Sequence, residues 1–555
     1  MALLFDLFGF LDVVLRFIAL TTQALMIGGI TFVALVISPF RSRIGNEAGT
    51  ILRRCWGLLR WSAGIAILGG TLNIVFNVLL LQASADIPIA EGLTASFVLA
   101  EMVRIAASGA IFLLAAGPTA EGRRRAALAF LGLVLLTAAA ATSHSVSRMT
   151  GRTPLALADA AHQLGAAVWI GGIPYFVIAL ARTHDGTAWR LVGKRFSQMS
   201  MISVATLVLA GLVLAYVFVG SFQGLYGTSY GVMVVGKVLL LIGLLFLGGM
   251  NFMLVERLRA NPTTPIIRMR RFAEVEIGVG LSVLALAASI TSSPPAIDQP
   301  YDQVPWSVTA ARMAPVWPPR LVSPDHDLLA IPALQATLDA EAKADAAAAQ
   351  HPRAFVPGEG IAPPRTPADI GWSEYNHHWA GLFVVVIGLL AMLERTGRAN
   401  WARHWPLAFL GLAAFLFVRS DPENWPLGDI GLLESLRDAE VFQHRLIVLL
   451  VIAFGLFEWG VRTGRIRRPW APLVFPILTA IGGGMLLMHS HNISSVREQF
   501  LIELTHIPLA LLAVASAWLR WLELRLPPPG NRIPGLIWPI CYVLIGLLLL
   551  NYREA

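Results

Sequence analysis

Twelve histidines are spread through this chain, and most fall near the ends of long apolar runs, where an imidazole can bind a metal, move a proton or hold a haem iron. The stretch Asp159-Ala-Ala-His162-Gln-Leu-Gly-Ala-Ala-Val-Trp169-Ile-Gly171-Gly172 sets His162 two turns ahead of Trp169 on one face of an apolar helix. His144 precedes it across a short polar loop. In the last third of the chain Glu440 and His444 are four apart and Glu503 and His506 three apart, so each carboxylate shares a helix face with its imidazole. A carboxylate so placed orients a metal-bound ring or ligates the metal itself. Met485 and His489 form a further same-face pair, and thioether with imidazole suits copper, above all the cuprous ion. His491, two residues beyond His489, diverges from it on a regular helix. The candidate metal ligands are therefore His144, His162, His444, His489, His491, His506, Glu440, Glu503 and Met485.

The same residues admit a second chemistry. Histidines at like depth on different helices of a bundle also hold b-type haem by bis-imidazole ligation, and Arg445 and Arg497 would then meet its propionates. Copper, haem b and a purely structural role all stay open on the residues alone. The two cysteines, Cys55 and Cys541, show no CxxC or CxxCH spacing, which excludes a thiolate metal site and covalent haem attachment.

These side chains need helices to carry them. The chain has 555 residues, 56% of them apolar and 14% charged, with repeated runs of about 20 apolar residues, each long enough to cross a bilayer. The expected fold is all-α: a polytopic integral membrane helix bundle of about fourteen transmembrane helices in two modules, eight in residues 1–295 and six in 374–555. Between them lies a Pro/Ala-rich connector, 296–373, expected to be extended with one short helix. His326 and His351 fall in that connector without a ligand cluster around them. The first span lacks a basic leader and a small-residue cleavage site, so it reads as a retained helix. Arginines crowd alternate loops, among them Arg123 to Arg125, Arg257 to Arg271, and Arg462 to Arg468. By the positive-inside rule those loops face the cytoplasm, and both termini, the connector and most of the histidines face outward. Lipid is thus the first partner, and the high pI reflects topology, with no nucleic acid implied. No Walker-type motif is present, so no nucleotide is expected on this chain.

Other intramembrane polar residues are Glu101 with Arg104, Asn73 with Asn77, and Lys237. Such groups are costly in lipid and face partners or a pathway. The glycine pairs Gly28-Gly29 and Gly171-Gly172, and the run Gly482 to Gly484, allow close helix approach.

The segment Ala141-Thr-Ser-His144-Ser, followed by His162 through Gly172 and by Ser-Pro-Pro at 293–295, resembles the copper-resistance D (CopD) family of bacterial inner-membrane proteins over about residues 10–295. The resemblance implies an eight-helix membrane domain that moves copper between periplasm and cytoplasm, working with a periplasmic copper-binding protein. The function expected is copper uptake across the bacterial inner membrane. The alternative is a haem b membrane redox protein, an electron carrier or oxidoreductase.

Overall fold

In hydrocarbon the peptide groups have no water to turn to, so each apolar run must satisfy its N–H and C=O groups within one helix. The computed structural model describes residues 8–85, 87–116, 122–148, 151–183, 186–261, 263–329, 366–436, 439–488 and 496–554, with isolated positions between 336 and 347. Among the described residues, twelve helices are long and apolar enough to cross a membrane. The protein is an all-α polytopic bundle. The other two expected spans are helical as well: Arg123–Ala140 opens on three arginines, and Ala471–Leu487 is shorter than the rest. The chain packs as two compact units, one of Leu7–Gln303 with Leu487–Ser490, the other of Val304–Leu486 and His491–Ala555 with Met1–Asp6.

The first unit contains α1 (Phe8–Phe32), α2 (Glu47–Ala85), α3 (Ser96–Leu114), α4 (Arg123–Ala140), α5 (Arg152–Trp169), α6 (Ile173–Arg182), α7 (Gly186–Val219), α8 (Ser229–Ala260) and α9 (Ile267–Thr291). α1 packs against α2, α4, α5 and α9. In α1, α5–α6 and α9 the most apolar stretch is 67% buried, against 22–28% in α2, α3, α7 and α8, so the latter offer their apolar side chains to lipid. Glycine permits the tightest contact: a Cβ on Gly28 would lie 2.3 Å from the carbonyl carbon of Gly171, and one on Gly171 would lie 1.9 Å from the oxygen of Ala24. Backbone touches backbone there. The span breaks between α5 and α6 at Ile170–Gly172, beside this contact, and the Tyr175 hydroxyl donates to the Leu25 carbonyl at 3.0 Å.

The second unit contains α10 (Trp306–Met313), α11 (Pro367–Arg395), α12 (Ala408–Arg419), α13 (Ala439–Arg462), α14 (Val474–Leu487), α15 (Val496–Arg525) and α16 (Arg532–Leu549). The sequence Thr366-Pro367-Ala-Asp369 starts α11 as a capping box: the Asp369 N–H donates to the Thr366 hydroxyl at 3.2 Å and the Thr366 N–H to the Asp369 carboxylate at 2.9 Å, with proline at the first helical position. Trp405, Phe409, Phe475, Trp538 and Tyr542 form an aromatic core with Ile387, Ala391 and Leu412. Residues 304–329, expected within an extended connector, pack onto this unit. Trp379 Nε1–H donates to the Leu321 carbonyl at 3.2 Å and His326 Nε2–H to the Pro422 carbonyl at 2.7 Å. Trp379 of α11 thus satisfies a carbonyl of this proline-rich stretch, and His326 of the stretch satisfies one in the loop after α12. His351 lies outside the described residues.

Candidate metal-handling site

His162 sits about 15 Å along α5. One of its nitrogens, Nδ1, is 2.9 Å from the Leu207 carbonyl oxygen of α7. A carbonyl only accepts, so the proton is on Nδ1 and Nε2 keeps its lone pair, the tautomer of a metal ligand. The ring lies over Gly211, where a Cβ would come within 3.0 Å of Cε1 and 3.1 Å of Nδ1. Any larger residue at 211 would press on the imidazole, which would have to give by a few tenths of an ångström. One turn earlier on the same helix is Asp159, and from it a file of polar side chains crosses the unit. The Gln163 amide donates to Asp159 Oδ2 at 3.2 Å, the Gln23 amide of α1 to Gln163 Oε1 at 3.2 Å, and Arg104 of α3 to Gln23 Oε1 at 3.4 Å. Arg104 also pairs with buried Glu101 at 2.9 Å. Both glutamines turn their amides to Asp159 and their oxygens to Arg104, so the dipoles align between the two charges. A cavity of about 10 Å³ lined by Thr22, Gln23, Met26, Glu101, Arg104 and Ser108 adjoins the file, room for about one water. Lys237 of α8 lies within electrostatic range of Asp159 and His162, and Tyr230 on the same helix within that of Asp159 and Arg148. Buried Glu276 of α9 accepts from the Asn251 amide at 2.5 Å.

His144 belongs to the short helix His144–Ser147, outside the spans. Its ring is hydrogen-bonded to the backbone of Thr291 and lies near Arg16, Arg148 and Asp298. Arg148 grips Asp298 through two bonds of 2.7 and 2.9 Å. Burial first, and then the two arginines, hold the imidazole below its ordinary pKa against the opposing pull of Thr291 and Asp298, so the ring is kept neutral. Arg148 is common to the surroundings of His144 and of Tyr230, which in turn lies within electrostatic range of Asp159.

The copper resistance protein D family matches residues 190–290 of this chain. The match lies within the first unit and includes Leu207 and Gly211, which bond and underlie the His162 ring, together with Lys237 and the Asn251–Glu276 pair. The chain is also 32% identical over 169 residues to the copper transport protein CutJ of Bacillus subtilis (strain 168), a match covering 30% of this chain and 29% of that protein. It thus spans less than a third of the relative's length. No solved structure matches the chain.

Outside the matched segment, each described histidine of the second unit has a hydrogen-bond partner of its own. His444 opens its span with Nδ1 at 2.6 Å from Asp421, whose carboxylate also accepts from the Ser420 hydroxyl at 2.7 Å. Burial works against the Asp421 charge, but the hydrogen bond and charge of His444, then Ser420 and Arg445, outweigh it and hold the carboxyl below its ordinary range. Asp421 is one of several acidic loop residues in the sequence, and nothing in its spacing singles it out as the partner of His444. Arg445 turns inward onto the Phe417 carbonyl and the Trp425 carbonyl, the latter at 2.9 Å. His506 donates from Nδ1 to the Ile502 carbonyl at 2.9 Å, and Glu503 beside it is buried. Met485 is 47% exposed on α14. His489 and His491 lie outside the described residues, as does the side chain of Glu440. His378 spends both ring nitrogens on backbone, accepting from the Arg320 N–H at 2.8 Å and donating to the Tyr552 carbonyl at 2.9 Å, which leaves none for a metal or a haem iron. Among the described residues no three His, Cys, Asp or Glu side chains gather as a ready ligand set.

The arginines read from sequence as loop charges are, at one end of this unit, part of a buried ion network. Arg462 pairs with Glu458 at 2.6 Å and with Glu394 at 3.0 Å, while Glu523 receives both Arg395 and Arg520. Trp405 Nε1–H donates to Glu394 at 2.8 Å and Trp538 Nε1–H to Glu523 at 2.7 Å. Glu458 is 1% exposed and Arg520 7%. Three carboxylates balance three guanidinium groups.

Proposed function

We propose that the protein carries copper across the bacterial inner membrane, by uptake from the periplasm, and that the first unit is the part that does so. The observation that carries this reading is the His162 imidazole, fixed by a backbone carbonyl in the ligand tautomer, with its neighbours drawn from the CopD segment. The cuprous ion suits such a place, since it accepts imidazole and needs few ligands. The likeness to a copper transport protein supports the same choice of metal. The arginine-rich loops support an orientation in which His144 and His162 meet the periplasm and both termini lie outside. A periplasmic copper-binding protein would then be the natural donor, and His144 the first imidazole on the way in. The same arginine bias supports His444, His506 and Glu503 lying towards the outer ends of their own spans.

The test is copper accumulation by cells carrying the wild type or His162→Ala, with elemental analysis and an absorption spectrum of both purified proteins. The expected result is loss of most copper accumulation in the variant with no change in the spectrum. Undiminished accumulation, or a haem Soret band that disappears with the variant, would overturn the reading.

A further inference from the structure

One buried acid of the first unit has no part in the file that reaches Asp159. Glu276 of α9 is 3% exposed and Asn251 of α8 8%, and each lies about 14 Å from the arginine-bearing end of its helix. Glycines set their place relative to His162. A Cβ on Gly280, one turn beyond Glu276, would lie 2.6 Å from Ile170, and one on Gly248, just before Asn251, 3.9 Å from Trp169. Trp169 and Ile170 are where the His162 helix breaks. From His162 towards the arginine-rich ends of α8 and α9, the break comes first and the Glu276–Asn251 pair next. Among the described residues no cation pairs with Glu276. The helices packed against α9 are α1, α6 and α8, and their charges are spent elsewhere. Asp12 and Arg16 of α1 pair at 2.7 Å, Glu256 and Arg259 of α8 at 3.3 Å, and Glu274 of α9 itself takes Arg270 and Arg271. Arg257 and Arg182 stand in the last turns of α8 and α6. Lys237 is about 21 Å back along α8 from Asn251, with Tyr230 further still. Tyr175 of α6 gives its hydroxyl to the Leu25 carbonyl.

We infer that Glu276 is a proton site, whose carboxylic acid is held uncharged against Asn251 while the route is empty and is discharged by a metal cation passing the break. The discharge rests on the reading of the first unit as a copper carrier. Asn251 points to the acid. With its nitrogen turned to Glu276, its buried oxygen Oδ1 accepts no hydrogen bond, which leaves an acceptor unpaired in the core. The two ends of an amide are alike in shape. Turned over, the amide sets Oδ1 opposite Glu276, where a protonated carboxyl donates to it, and the 2.5 Å separation suits O–H···O better than N–H···O. An ionised carboxylate here would have neither water nor a counter-charge, the condition under which a buried acid keeps its proton. A cuprous ion arriving at the break supplies that counter-charge. The Glu276 O–H bond then breaks, the proton leaves to water on the arginine-rich side, and the carboxylate balances the metal. When the metal leaves, a proton from the same side restores the acid, and no electron moves. Asn251 serves both states, donating Nδ2–H to the carboxylate and accepting at Oδ1 from the acid.

The experiment uses the full chain in lipid nanodiscs, with silver as the cation, counted as the part of the binding that His162→Ala loses. It reads the infrared carbonyl stretch of protonated carboxylic acids, and proton release in weakly buffered solution. Metal-free wild type is expected to show a buried-acid band that Glu276→Gln loses. In Asn251→Leu the band should stay but move, because the acid there has lost its acceptor. Silver should erase the wild-type band and free about one proton per silver bound. A band that survives in Glu276→Gln, stands unmoved in Asn251→Leu, or persists in wild type with silver bound would overturn the proton site. The band is read without metal, so its absence defeats the proton site alone. No silver binding in a protein that shows the band would defeat the copper reading and the discharge with it.

Discussion

The two units bury charge in opposite ways. In the first, Asp159, Gln163, Gln23, Arg104 and Glu101 form a single file across three helices, each member bonded to the next. In the second, Glu394, Glu458 and Glu523 are knotted with Arg395, Arg462 and Arg520 and walled by Trp405 and Trp538. Two triads, in which Arg462 bridges two carboxylates and Glu523 two guanidinium groups, make a closed arrangement, costly to open and of little use to a passing ion. A file held by amides leaves its ends available. The difference teaches that buried charge alone does not mark a transport route, and that the sparsely compensated groups are the ones to follow.

The largest expected effect breaks the knot. Glu458→Gln leaves Arg462 beside a neutral amide and should destabilise the protein by about 3–5 kcal/mol, read as a fall in Tm in detergent. Any copper accumulation per folded molecule should remain. If it vanished while Tm held, the knot would belong to the route and the contrast between the units would fail. Next is Gly211→Ala, whose methyl group would press on the His162 ring. Overpacking of about 1–3 kcal/mol is expected, with a loss of copper accumulation close to that of His162→Ala. Gly243→Ala, with nothing within 4 Å of its added Cβ, is the control and should behave as wild type. A smaller effect is expected from Gln23→Leu, which removes the middle of the file and leaves the Gln163 oxygen and an Arg104 N–H without that partner, costing about 1–3 kcal/mol and slowing uptake several-fold.

The smallest effect concerns pH. His144 has a folded-state pKa below the ordinary 6.5, so the unfolded chain takes up a proton that the folded one refuses. Stability from this group is whole above about 6.5 and is lost as the pH falls below it. A modest decline in Tm between pH 7 and pH 5 should flatten in His144→Gln, and an identical decline in both proteins would mean that the burial of His144 has no energetic weight.

The helices were legible because apolar runs of membrane length leave the backbone no alternative. His162 stood out in the sequence by its spacing ahead of Trp169 and Gly171. What held it was not, because a carbonyl such as that of Leu207 carries no residue-specific signal and Gly211 looks like any small residue in a span. The knot was misread for a different reason. Arg462 and Arg520 lie at helix ends, where the positive-inside rule accounts for arginine without asking which way it points. Their spacing from Glu458 and Glu523, four and three residues, was the signal that would have turned them inward. Asp421 was hidden among loop acids, since its partner His444 is distant in sequence.

The contact of Gly28 with Gly171 has a mechanical consequence. Two backbones pressed together without side chains between them fix the point about which any tilt of α5 would turn, since the turn at Ile170–Gly172 separates it from α6, pinned through Tyr175 to Leu25. His162 lies about 13 Å out along that lever. A tilt of about 10° at the fulcrum would swing its imidazole by about 2 Å, enough to pull Nδ1 off the Leu207 carbonyl. The arm is short, stiff and anchored at glycine, so a bulkier residue at position 28 or 171 would jam it.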